Sequence, residues 1–240
     1  MVAEPQPPSR RERARAATIE EILRTAVGQM REHGTTDLRF TDIARAMGMT
    51  PPALYRYFAD RDELLSALIA QAYDDLGAAV AQARAGAGPG SAWEHWSAVS
   101  RAFRDWAGND QQRFALIFGL PVPGYTAPED GPTTEAAMRA MQQLVLLFVE
   151  AARAGELRPP LLRAVDPAIA AVAAAKHPGL ASVLPPESYQ AMLHLWASLH
   201  GYVSLEANGH FAWIDDEARE ALFAGQMRLA AAAAGLPTPD

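Results

Sequence analysis

Cysteine is absent from all 240 residues. That excludes disulfide bonds and thiolate metal sites, and it fits the reducing cytoplasm. Long apolar runs are missing too. No window approaches about eighteen residues without Gly, Pro or charge, so neither a spanning helix nor a membrane partner is expected. The opening stretch MVAEPQPPSRRERARAATIEEIL holds no apolar run before Ile19, so no secretory signal is expected. There is no strand-like alternation and no internal repeat. Positive charge is in deficit: 21 Lys and Arg stand against 28 Asp and Glu, a net −7. Taken alone, that balance argues against nucleic acid. The deficit is uneven, however. Residues 1–64 carry ten Arg and ten acidic residues, so the whole −7 lies beyond them. Arg10, Arg11, Arg13 and Arg15 cluster in a Pro-rich stretch that reads as a flexible basic arm over 1–14.

What is present reads as helix. Ile19, Ile22, Leu23, Ala26, Val27 and Met30 make one apolar stripe over 15–33, with Thr18 and Glu21 as a capping box and Gly34 as a C-cap. Thr41 is an N-cap candidate for a short helix at 42–47 that Gly48 ends. Thr50 caps a second short helix with Pro51 at its first position, where a missing N–H costs nothing. Asp60 caps a longer helix over 61–84. GAGPG (86–90) has no lysine after it and no strand before it, so it reads as a linker rather than a phosphate loop. Further helices are expected at 91–107, 110–118, 134–154, 163–175, 186–208 and 215–234, with Pro/Gly-rich connectors between them.

Two short helices joined by a Gly turn make a helix-turn-helix. Ile43, Ala44 and Met47, with Met49, Leu54 and Phe58, can close a three-helix core against the first stripe. The second short helix then exposes Pro51, Pro52, Ala53, Tyr55, Arg56 and Tyr57. Packing alone gives no reason for Tyr-Arg-Tyr here, whereas a DNA groove does. The small Pro52 and Ala53 permit close approach, Arg56 reaches a guanine edge or a phosphate, and tyrosine hydroxyls bond phosphate oxygens. The helix starts at Thr41 and Thr50 offer N–H groups to phosphates, and Arg61 anchors the backbone beyond.

The stretch FTDIARAMGMTPPALYRYFADRDELLSAL resembles the DNA-binding segment of the TetR family of bacterial transcriptional regulators. The shared frame is Thr, Ile-Ala, Gly, a hydroxyl cap, Leu-Tyr, Phe, a basic residue three beyond, then Leu. LWASLHGYVSLEANGHF (195–211) is similar to the Trp…His-Gly segment of the C-terminal ligand domains called WHG. Three positions depart from the family pattern. Tyr57 stands where many members have His, Arg61 where Lys is usual, and Pro52 where Gly is common.

The resemblance implies an all-α, two-domain homodimer. An N-terminal three-helix domain over 15–60 would bind a palindromic double-stranded DNA operator, and 61–240 would bind a small ligand and dimerise through the last two long helices. Dimer candidates are Ala197, Leu199, Val203 and Leu205 on one helix, and Ala218, Leu222, Met227 and Leu229 on the other. Trp96, Phe103, Trp106, Phe118, Met141, Phe148, Met192 and Trp196 are core residues by composition. The resemblance makes them candidates for lining an apolar ligand cavity, with His177 and Arg104 as polar anchors. A repressor released from DNA by that ligand is the expected function, with helix 61–84 as the lever.

Two alternatives stay open: a DNA-binding protein without ligand control, and a small helical enzyme. No nucleophile elbow, phosphate loop or carboxylate pair supports the enzyme. His194, His200, Glu206 and His210 fall within seventeen residues. On one helix His200 and Glu206 are about 600° apart, so they lie on different faces. No metal and no cofactor are expected. Gly201 reads as a point of close helix approach.

Overall fold

The computed structural model describes residues 9–176 and 179–239. They form ten α-helices: α1 Arg10–His33, α2 Phe40–Ala46, α3 Pro51–Leu54, α4 Arg61–Gly86, α5 Ala92–Asn109, α6 Gln111–Phe118, α7 Pro132–Arg153, α8 Pro167–Lys176, α9 Pro186–Ala207 and α10 Asp216–Ala233. A 3₁₀ turn at Leu180–Ser182 follows α8. No strand occurs among the described residues.

Two compact units result. One joins the described residues through Tyr73 with Asp110–Ala137; the other joins Asp74–Asn109 with the residues from Met138 onward. The division therefore falls inside α4, not at its first residue, and the first unit recruits α6 and its following loop.

The first unit is built on α1. Its apolar positions recur at helical spacing, so Ile22, Leu23, Ala26, Val27 and Met30 all face inward. Against them pack Ile43 and Ala44 of α2, Leu54 of α3, Phe58, and Leu64, Leu65 and Leu68 of α4. Gly34 and Gly48, both at φ 63°, make the turns that let α1, α2 and α3 fold back on one another. Asp110 caps α6 and also takes the Arg31 guanidinium at 2.5 Å, tying α1 to α6.

Several local expectations change. The basic stretch is not an arm from residue 10 on. Ser9 caps α1 in a capping box with Glu12, so Arg10, Arg11, Arg13 and Arg15 are helical. Thr18 lies inside α1 and bonds back to the Ala14 carbonyl instead of capping. α2 begins at Phe40 with Arg39 as N-cap, because burying Phe40 in the core extends the helix by a residue before Thr41. Asp60 does cap α4, accepting the Glu63 N–H at 2.8 Å. α4 also contains a stretch long and apolar enough to cross a membrane by composition, but nearly half of that window is buried in the fold. α8 starts at Pro167 rather than 163.

In the second unit α5 buries Trp96, Val99, Phe103 and Ala107, four residues on one face. α9 and α10 form an antiparallel hairpin, with Tyr202 donating to the Arg219 carbonyl at 2.8 Å. Arg104 of α5 binds Glu206 of α9 through two 2.7 Å contacts and also pairs with Glu220 of α10. Its guanidinium lies 4.4 Å from the Phe223 ring centroid. One cation thus ties three helices together.

Candidate nucleic-acid interface

α3 is short because two prolines start it and the chain turns immediately after Leu54. Thr50 is its N-cap by backbone geometry, with no side-chain hydrogen bond. The chain continues as a tight turn, with Tyr57 N–H donating to the Leu54 carbonyl at 2.9 Å and Phe58 N–H to the same carbonyl at 3.2 Å. Tyr55, Arg56 and Tyr57 therefore sit on this turn and not on a continuing helix. Leu54 and Phe58 are buried and anchor both ends.

That anchoring presents one face outward. Thr50, Pro51, Pro52 and Arg56 are exposed, Tyr55 is 53% exposed, and Ala53 is half-buried. Thr41 is exposed on the first turn of α2. The Tyr55 ring rests on Phe40 at 5.0 Å, which fixes its direction while leaving its surface open. The start of α3 offers no free N–H to a phosphate, because Pro51 and Pro52 carry none and the Ala53 N–H bonds to the Thr50 carbonyl at 2.9 Å. α2, whose N-cap Arg39 makes no side-chain bond, leaves first-turn N–H groups beside Thr41 for such an acceptor.

Two expected contacts move inward. Tyr57 is half-buried and packs on the core of this unit. Arg15 lies over its ring at 5.2 Å and donates to the Arg56 carbonyl at 2.8 Å. Arg15 thus braces the turn that carries Arg56, a role that its place in a basic cluster concealed. Arg61 is likewise turned into the protein. Its Nε donates to the Leu38 carbonyl at 3.2 Å, Nη1 to the Pro123 carbonyl at 3.4 Å, and Nη2 to Asp37 at 3.0 Å. It clamps the α1–α2 turn and the loop after α6. Nearby, Ser66 and Tyr125 share a hydroxyl hydrogen bond of 2.9 Å that holds the same loop.

The ligand candidates divide as well. Trp96 and Phe148 are fully enclosed, and Phe103 and Met192 nearly so. The Trp96 indole donates to the Met227 carbonyl at 3.1 Å, the behaviour of a core residue. Trp106, Met141 and Trp196 are half-buried, and Trp196 meets Phe103 edge-on at 5.3 Å. Phe118 belongs to the first unit, against Tyr73 and Phe114. His177 lies outside the described residues. Arg104 is committed to Glu206 and Glu220, so it is not a free anchor. A cleft of about 170 Å³ in the second unit is lined by residues of α9, α10 and the 160–162 segment, and by none of the candidates. Among the described residues no three His, Asp or Glu cluster as a metal site.

A three-helix core presenting a short, proline-started helix after a glycine turn defines a helix-turn-helix protein. Residues 22–68 match the profile described as "Bacterial regulatory proteins, tetR family", and residues 96–230 match "Tetracyclin repressor-like, C-terminal domain". The chain belongs to the TetR family of transcriptional regulators, which sets aside the enzyme alternative. The second match includes Trp196, His200 and Gly201, the residues that suggested a ligand-type domain.

The HTH-type transcriptional regulators Rv1816 of Mycobacterium tuberculosis and Mb1846 of Mycobacterium bovis are each 40% identical over 125 residues. That alignment takes in 50% of this chain and 52% of theirs, so the chain spans about half the length of these curated relatives. The crystal structure of the regulatory protein SCO4313 is similar over 92% of this chain and 98% of its own, at 35% identity and a TM-score of 0.70. RolR, solved in complex with resorcinol, shares the fold at a TM-score of 0.54 and 16% identity, over 95% of this chain and 98% of its own.

Proposed function

We infer that this chain is a homodimeric, cytoplasmic repressor whose operator binding is released by a small, largely apolar ligand. The observation that carries the DNA reading is the outward face of Thr50, Pro51, Pro52, Tyr55 and Arg56, mounted on the buried Leu54 and Phe58. Such a short rigid platform offers side chains to base edges and to phosphates. Thr41 adds a backbone contact, and Ala53 permits close approach. Tyr57 and Arg61 act by bracing the platform, not by touching DNA.

The second unit supplies pairing and ligand response in this reading. α10 is apolar on two opposite faces. Phe223, Met227, Ala230 and Ala231 face inward, while Ala218, Ala221, Leu222, Gly225 and Leu229 are exposed with no charge among them. α9 adds an exposed strip of His194, Ala197 and Leu205. An uncharged second face on a surface helix is what a partner helix would cover. Leu199, Val203 and Met227 are spent on the chain's own core and are removed from the pairing face. For the ligand, the half-buried Trp106, Met141 and Trp196 are better placed to yield to a guest than the fully packed Trp96 and Phe148. RolR, with its resorcinol, is a fold relative that accommodates a small aromatic molecule, which supports this class of ligand. A ligand preferring a non-binding arrangement shifts the population off DNA, with coupling of about 1–3 kcal/mol.

The test is selection of binding sites from random duplex DNA by the full chain. A two-fold symmetric site with half-sites about 34–36 Å apart, or slightly more, is expected. Recovery of no preferred sequence, or of a single asymmetric half-site, would refute the dimeric operator reading.

A further inference from the structure

The α9–α10 hairpin carries a knob at one end and a hole at the other. At its tip, Trp213 is 81% exposed. It is not on a loose loop. Ala212 N–H donates to Gly209 at 3.1 Å, Ile214 N–H to Phe211 at 3.2 Å, and the Phe211 ring lies 5.1 Å from that of Tyr202. At the open end is the cleft of about 170 Å³, walled by Leu161, Leu162, Leu195 and Ala230, with His194 and Ser198 as its polar members. Its outer wall is fixed to α10, since Arg158 N–H donates to Gly235 at 2.8 Å and Leu161 N–H to Ala233 at 2.9 Å. The Leu161 side chain is nevertheless 85% exposed.

Between knob and hole lie two glycines. Gly201 is seven residues from both His194 of α9 and Asn208, the C-cap of that helix. Gly225 is nine residues from both Asp216, the first residue of α10, and Ala234, its C-cap. Beyond the backbone of its own helix turns, a Cβ at either would meet nothing within 4 Å. Glycine weakens a helix interior relative to alanine, and nothing inside the described chain requires it at these positions.

We propose that a second copy of this chain crosses the hairpin at Gly201 and Gly225, and that each copy inserts Trp213 into the other's cleft. The inference rests on the dimer reading above and specifies its contacts. A two-fold axis lying in the interface beside the glycines, at right angles to the helix axes, sets the two hairpins antiparallel. It therefore carries each tip to the partner's open end, about 10 Å along α9 from the axis. The contact is isologous: tip to cleft and cleft to tip. The indole N–H needs an acceptor once enclosed, and the His194 ring or Ser198 hydroxyl provides one. The glycines allow the backbones to approach where the hairpins cross. A rigid, exposed tryptophan facing a walled apolar cleft is the residue type and setting that dominates interface energetics.

The chain's lack of cysteine makes the test direct. In the full chain, the double variant W213C/S198C is oxidised and run without reductant. Ser198 lies nine residues, about 14 Å of helix, below the end of α9, too far for a bond within one chain. A covalent dimer is expected from the double variant and not from either single variant. Sedimentation of Trp213→Ala is expected to show a dimer dissociation constant raised at least about thirtyfold. A wild-type chain that sediments as a monomer overturns both the dimer reading and the insertion. A wild-type dimer that neither cross-links as the double variant nor weakens with Trp213→Ala overturns the insertion alone. A covalent dimer between identical single variants would place the axis elsewhere and also overturn it.

Discussion

Replacing Arg61 by alanine separates two roles that a basic residue beside a recognition helix can play. In the structure all three guanidinium nitrogens donate within the protein, to Leu38, Pro123 and Asp37. The Asp37 pair is largely exposed and contributes little, about 0–1 kcal/mol. The Leu38 carbonyl is part-buried and would lose its donor, at about 1–3 kcal/mol. The 3.4 Å bond to Pro123 is long and adds less. Together the variant is expected to lose about 2–3 kcal/mol of stability in urea unfolding. Operator affinity should fall as the α1–α2 turn loosens under the reading platform. The dependence on salt should not change, because no phosphate contact is removed. The assay is fluorescence anisotropy with labelled operator at several salt concentrations. A lost phosphate contact flattens the log–log slope by about 0.9 per head, or about 1.8 for a dimer. A flattening of that size with undiminished stability would refute the clamp and return Arg61 to the phosphate backbone.

Arg56→Ala is expected to weaken cognate operator binding by about 1–3 kcal/mol while leaving random DNA nearly unaffected; equal losses on both duplexes would make it a phosphate contact. Trp96→Ala should cost about 3–5 kcal/mol in denaturant unfolding, since it empties an enclosed indole site and strips the Met227 carbonyl of its donor; an unchanged midpoint would remove Trp96 from the core. Glu220 is held below its ordinary carboxyl value of 4.5 by its hydrogen bond to Arg104, aided by the charges of Arg104 and Arg101. The lowered folded value means that its contribution is present above about pH 4.5 and is lost as pH falls through the folded value. Its side chain is about half exposed, so screening keeps this contribution small. Glu220→Gln should therefore narrow the drop in melting temperature on acidification below pH 4.5, and an identical pH profile in both proteins would refute the pairing.

The sequence alone determined the helices and the helix-turn-helix, because both are written in local signals. The stripe from Ile19 to Met30, Gly48 at the turn, and Pro51 at a helix start act within a few residues of themselves. The exposure of Pro51, Pro52, Tyr55 and Arg56 followed from the burial of Leu54 and Phe58 beside them. Only the tertiary structure decided which side chains were free to act. Arg61 looked like a phosphate anchor until Pro123, sixty-two residues away, was brought to it. Trp96 looked like a cavity wall until the Met227 carbonyl, 131 residues away, met its indole. Gly201 looked like a point of close helix approach, yet no other helix of the chain comes within 4 Å of where its Cβ would stand. Periodicity reports that a residue faces inward or outward on its own helix. What waits on that face is set by partners distant in the chain, and no local spacing encodes them.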